Sequence, residues 1–99
     1  MIGIDLTRIS RFKKMKNSTI NKFLSPNEKV EFETLEEDKR PNFLATRWAL
    51  KEAIFKADNQ YQNFNQIDIF KSEVGRYSFL DFELSTSNED DYVIAIAKK

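Results

Sequence analysis

Apolar and polar residues alternate with period two at the start of the chain, where Ile2, Ile4 and Leu6 are interleaved with Gly3 and Asp5. That pattern predicts a strand. The spacing then changes: Ile9, Phe12 and Met15 recur every three residues with basic side chains between them, which predicts an amphipathic helix over about residues 7–16. The run Ser25, Pro26, Asn27, Glu28 carries three helix-start cues, an N-cap serine, a proline in the first turn and a glutamate three residues after the serine. It opens a short helix to about residue 35. Pro41 suits the first turn of a longer helix ending near Ala57. The polar stretch "DNQYQNFNQ" predicts a connector. Beyond it "IDIF", "YSFLDFEL" and "YVIAIA" read as three strands, joined near Gly75 and across "STSNEDD". Helices followed by antiparallel strands predict an α+β architecture in one domain spanning residues 1–99, with helices packed on an antiparallel sheet.

The long helix has an unusual distribution of charge. At about 100° per residue, Leu50, Ala53, Ile54 and Ala57 form one apolar face, and Trp48 with Phe55 forms a second, roughly opposite. Two charged rows separate these faces, Arg47 with Lys51 and Glu52 with Lys56. A surface helix normally keeps one apolar stripe. This one is expected to be buried on two sides, with charges held in the seams.

Composition narrows the chemistry. The chain has no cysteine, so disulfides and thiolate metal sites are excluded, and no histidine, so imidazole bases, serine-type triads and the usual zinc sites are excluded as well. Any catalysis rests on carboxylates, Lys, Tyr, a metal or the substrate's own phosphates. Sixteen basic and 16 acidic residues cancel, which argues against a general nucleic-acid binder. The order is uneven, however: residues 8–16 carry only basic charge and offer a patch for an acidic partner. No apolar run reaches membrane-spanning length, and the chain opens on "MIGIDL" without a charged leader and apolar segment. The expected compartment is the cytoplasm, with no membrane association.

Asp is depleted in strands, so Asp5 between Ile4 and Leu6 is a candidate site residue, although a strand-end or capping role would also account for it. Glu52 would also serve as the i,i+4 partner of Lys56. Taken together, two carboxylates from different elements suit a hard cation such as Mg²⁺, which is held by one or two carboxylates, waters and substrate phosphates. Lys56, one turn beyond Glu52, is placed to meet the same phosphates. Ser85, Thr86, Ser87 and Asn88 offer donors for a phosphate-contacting turn.

These segments resemble holo-acyl-carrier-protein synthase, the small bacterial phosphopantetheinyl transferase. The resemblance runs through "GIDLTRISR", "FLSPNE", "NFLATRWALKEAIFKA", "IDIF" with the following Gly75 and Arg76, and "LSTSNEDDYVIAIA", in order and over nearly the whole chain. It implies the fold of that family and transfer of 4′-phosphopantetheine from coenzyme A to a serine of apo acyl carrier protein, releasing adenosine 3′,5′-bisphosphate. It further implies a homotrimer with sites between subunits, and a place in fatty acid biosynthesis. By position in the motifs, Asp5 and Glu52 resemble the magnesium ligands and Lys56 the phosphate-contacting lysine. Arg47, Lys51, Gly75, Arg76, Ser85, Ser87 and Asn88 fall where the family binds coenzyme A or lines the site. Arg8, Arg11, Lys13 and Lys14 fall where it docks the carrier protein. The serine proton is left to Glu52 or to a water on the metal.

The chain departs from the family pattern at three places. Asn88 stands where the family's Ser-x-Ser-His motif ends in histidine; the glycine-rich loop after the long helix is replaced by "DNQYQNFNQ"; and Gly75, Arg76, Tyr77 replace the common Gly-Lys-Pro. A non-catalytic trimeric module that binds an acidic carrier protein through its first basic segment is the alternative reading.

Overall fold

The computed structural model describes residues 1–99. Five strands, β1 (Ile2–Arg8), β2 (Phe70–Lys71), β3 (Tyr77–Phe79), β4 (Phe82–Glu89) and β5 (Tyr92–Lys98), form one antiparallel sheet in the order β1-β5-β4-β3-β2. Three α-helices, α1 (Asn17–Phe23), α2 (Pro26–Thr34) and α3 (Arg40–Ala57), lie before β2 in the chain. The expected α+β architecture is what the chain adopts. None of the helices is long and apolar enough to cross a membrane.

The sheet's two faces invert the simplest reading of the first strand. Gly3, Asp5 and Thr7 point toward α3, whereas Ile2, Ile4 and Leu6 are exposed on the other face. The inward residues are small because α3 comes very close: a Cβ built on Gly3 would lie 1.9 Å from the carbonyl oxygen of Ala53 and 2.7 Å from the Ala57 nitrogen. Ala95 and Ala97 of β5 and Ala45, Ala49, Ala53 and Ala57 of α3 complete the small buried surfaces. Leu50 and Ile54 fill the space around that contact and are fully buried. On the second apolar side of α3, Trp48 packs within the same chain, meeting Phe12, Phe23 and Phe64 at centroid distances of 5.3–6.4 Å.

Four boundaries differ from expectation. The predicted helix over residues 7–16 is replaced by the end of β1, a 3₁₀ turn (Ile9–Phe12) and the separate helix α1. A strict three-residue apolar repeat matches the 3₁₀ period, and Arg8 supplies no side-chain cap to start an α-helix. Only Phe70–Lys71 of "IDIF" pairs as a strand, because the Ile69 amide donates to the Glu28 carboxylate instead of to a neighbouring strand. "YSFLDFEL" is two strands, turned at Leu80, which takes a positive φ of 51° without any glycine to signal it. "STSNE" belongs to β4, and the hairpin turns at Asp90 (φ 54°). The capping box at Ser25 and Glu28 is as predicted.

Candidate active site

The two charged rows of α3 have different destinations. The Glu52 and Lys56 row faces β1. Lys56 Nζ donates to Asp5 Oδ1 at 3.1 Å and to the Ile4 carbonyl at 3.0 Å. Gly3 makes this possible, since only the bare backbone lets α3 approach closely enough for a lysine to span the gap. Glu52, one turn before Lys56, is half-buried and has no hydrogen-bonding partner on the chain that lowers its proton affinity. Burial pushes its carboxyl above the usual glutamate range, the negative charge of Asp5 adds to the push, and Lys56 and Arg11 oppose it.

The Arg47 and Lys51 row closes on the interior, although the resemblance puts both among the candidates for the coenzyme A site. Lys51 is 0% exposed and spends its three protons on Glu28 Oε1 and the carbonyls of Phe23 and Phe64. All three donors are taken up inside the chain, an arrangement of a structural ion pair and not of a ligand contact. Burial lowers the ammonium's proton affinity, and Glu28 works against that. Arg47 Nε donates to Glu28 Oε2 at 3.1 Å, and its guanidinium stacks over Phe43 and Tyr77. Arg47 nevertheless forms part of the wall of a cleft of about 390 Å³ that also includes Lys39, Asn42, Thr46 and Lys71.

The remaining candidates lie elsewhere. Gly75, at φ 82°, and Arg76 close the turn between β2 and β3, where Ser72 accepts the Arg76 amide through its hydroxyl. Arg76 shares a groove of about 480 Å³ with Ser85, Ile2 and Ile96 on the sheet face away from α3. Ser85 and Ser87 project from that same outer face, opposite Ile96 and Ile94, whereas Asn88 is opposite Val93 on the α3 side. β5 separates β4 from β1, which puts these residues two strand spacings, about 10 Å, from the Asp5 strand.

Arg8, Arg11, Lys13 and Lys14 are all exposed. Arg11 stacks over Trp48 at 5.1 Å and Arg8 over Tyr92 at 5.5 Å. Asp91 anchors this segment to the β4–β5 turn by accepting from the amide of Ser10 at 2.9 Å and from its hydroxyl, while the Asp91 carbonyl accepts from the amide of Ile9 at 2.8 Å. Those bonds, led by the Ser10 hydroxyl, hold the Asp91 carboxyl below its usual range. Sequence reasoning missed Asp91 and assigned Glu28 only its capping role. Two buried cations on one helix row were the available signal for a buried carboxylate.

No group of three or more acidic, His or Cys side chains converges anywhere in the chain. A divalent cation at Asp5 and Glu52 would take two carboxylates from the protein and its remaining oxygens from water and substrate, which fits Mg²⁺ better than any metal needing a full protein cage. Glu52, which burial and Asp5 together make costly to ionise, would gain most from such a cation.

A family model for the 4′-phosphopantetheinyl transferase superfamily matches residues 1–97. The chain is 46% identical over 99 residues to the holo-[acyl-carrier-protein] synthase of Mycoplasma mobile, covering 100% of this chain and 88% of that one. Against the synthase of Mycoplasmopsis pulmonis the identity is 44% over 100 residues, covering 100% and 89%. Among solved structures, the Bacillus anthracis holo-(acyl-carrier-protein) synthase in complex with CoA (3′,5′-ADP) is similar at a TM-score of 0.87 and 26% identity, covering 97% and 91%. The Helicobacter pylori synthase in complex with coenzyme A is similar at 0.77 and 27%, covering 98% and 97%.

Proposed function

The chain belongs to the holo-[acyl-carrier-protein] synthases of the 4′-phosphopantetheinyl transferase superfamily, and from that premise we propose that it transfers 4′-phosphopantetheine from coenzyme A to a serine of apo acyl carrier protein. The reaction is Mg²⁺-dependent, takes place in the cytoplasm and releases adenosine 3′,5′-bisphosphate. The observation that carries the reading is the Asp5, Glu52 and Lys56 cluster, two carboxylates and an ammonium from two elements brought together by the Gly3 contact.

In this proposal Asp5 and Glu52 hold the cation. When bound, Mg²⁺ supplies positive charge to the pyrophosphate and to the oxygen that leaves. The serine oxygen attacks the phosphorus nearer the pantetheine, the bond to the adenosine 5′-phosphate oxygen breaks, and the serine proton departs. That proton passes to Glu52 or to a water beside it. Lys56, half-exposed, turns its ammonium to phosphate oxygens as the carboxylate beside it is taken up by the cation. Arg47, Lys39 and Lys71 supply positive charge along the cleft for coenzyme A, against Glu31 and Asp38 on the same walls. Arg8, Arg11, Lys13 and Lys14 present the basic surface for the acidic carrier.

A homotrimer accounts for the sheet's outer face. Ile2, Ile4, Leu6, Tyr92, Ile94 and Ile96 lie side by side there in the β1–β5 register and are all exposed. A contiguous apolar face of that kind marks an interface. Arg76, Ser85 and Ser87 share that face, so association would bring them beside a neighbour's residues, and Asn88 at the hairpin end would come with them.

The test is intact-mass spectrometry of apo acyl carrier protein incubated with coenzyme A and the chain, with Mg²⁺ and then with excess chelator. Gain of one phosphopantetheine that chelator abolishes is expected. A folded chain that binds the carrier without modifying it would favour the non-catalytic module.

A further inference from the structure

Glu28 is 1% exposed and no surface role explains it. All four of its lone-pair positions are used: Oε1 accepts from the Ser25 amide at 2.9 Å and from Lys51, and Oε2 accepts from Arg47 Nε at 3.1 Å and from the Ile69 amide at 3.3 Å. A cap needs only the first of these. The other three reach α3 and the segment entering β2.

Both elements line the cleft that contains Arg47, Asn42, Lys71 and Tyr77, together with Lys39 and the acidic Glu31 and Asp38. Through Oε2 a single carboxylate oxygen holds both Arg47 and, two residues before Lys71, the backbone at Ile69. Arg47 keeps a capacity that the interior does not use. Its Nε goes to Glu28 and one terminal nitrogen to Glu31 at 3.4 Å, while Nη1 makes no hydrogen bond in the chain. Arg47 is itself 1% exposed, held at Nε by Glu28 and stacked on Phe43 and Tyr77, so only its Nη1 edge is left to meet a phosphate at the cleft.

We infer that Glu28 is a positioning residue for coenzyme A binding: it acts through Arg47, aiming that guanidinium without touching the substrate. The inference rests on the reading that the cleft holds coenzyme A.

The test is a double-mutant cycle on coenzyme A affinity, by calorimetry, with wild type, Glu28→Gln, Arg47→Ala and the double variant, together with KM values for coenzyme A and carrier. Each single change is expected to weaken coenzyme A about tenfold. The double variant is expected to bind no more weakly than Arg47→Ala alone, because Glu28 has nothing left to aim. KM for coenzyme A rises and KM for the carrier stays. Wild-type affinity in Glu28→Gln, or losses that simply add, would overturn the positioning role. A role confined to folding would lower the active fraction and leave both KM values unchanged, and that result too would overturn it. If Arg47→Ala itself binds coenzyme A normally, the cleft reading fails and Glu28 has no substrate to position. Should Glu28→Gln unfold, Glu28→Asp, which keeps the charge and shortens the reach, enters the same cycle with the same expected non-additivity, and additive losses there would be equally decisive.

Discussion

Lys56 Nζ lies 3.1 Å from Asp5 Oδ1, a bond between the long helix and the first strand across 51 residues of sequence. The same ammonium takes the Ile4 carbonyl, so Asp5 is held in place while Glu52, one turn away, has no partner and an elevated proton affinity. The fold thus fixes one carboxylate and leaves the second available.

Glu52→Gln should abolish transfer and leave folding intact. Because burial and Asp5 favour the protonated side chain, a neutral isostere removes a cost in the folded state. The melting temperature is expected to stay level or rise in scanning calorimetry, while intact-mass assays show no modified carrier. Full activity would remove Glu52 from the site.

Gly3→Ala should be strongly destabilising. The added methyl would meet backbone atoms of α3 that cannot rotate away, and overpacking of this kind costs about 3 kcal/mol or more. Urea denaturation measures it directly. A loss under about 1 kcal/mol would mean that the helix shifts freely on the sheet.

Asp68 gives the chain an acid-sensitive contact. The Ser25 hydroxyl at 2.6 Å, and after it Asn27 at 2.9 Å, hold its carboxyl below the ordinary value of 3.8. A carboxyl depressed by folding stabilises fully above its unfolded value, and that contribution disappears as the pH falls through the folded value. Asp68→Asn should therefore be less stable than wild type at about pH 6, with the gap closing below about pH 3.8. Urea midpoints across that range test the sign; a constant gap would show that the shift contributes nothing.

Much of this was legible from residue spacing, and the misses have physical causes. Leu50, Ala53, Ile54 and Ala57 are buried as their 100° spacing required. Asp5 stood out because a strand had to accommodate it. What spacing could not reveal was which seam faced which partner. Lys51 and Lys56 look alike in sequence, yet one is sealed against Glu28 and the other reaches Asp5, a distinction that depends on contacts 23 and 51 residues away. The Leu80 turn was hidden because a leucine occupies a backbone conformation that glycine or asparagine would have advertised.

Arg11→Glu should weaken carrier binding about tenfold and leave coenzyme A affinity unchanged, with the loss shrinking at high salt. Arg11 sits exposed over Trp48, so reversal of its charge leaves the core packed. Equal loss of both ligands in titration calorimetry would point instead to a disturbed fold.

Ile94→Lys should lower the mass seen by sedimentation to that of a single chain. Ile94 is exposed in the middle of the apolar outer face, between Leu6 and Ser87, and an ammonium there has no place in a dry interface. An unchanged mass would exclude that face from association.

The approach of Gly3 to Ala53 also constrains what descendants of this chain can become. Most core contacts tolerate drift, because a larger side chain on one element can be matched by a smaller one opposite. Here a backbone meets a backbone, and no residue smaller than glycine exists to compensate for a change. A change that preserves folding has to fall elsewhere, at the turns and outer faces, while the spacing between Asp5 and the α3 charges is held by the contact itself.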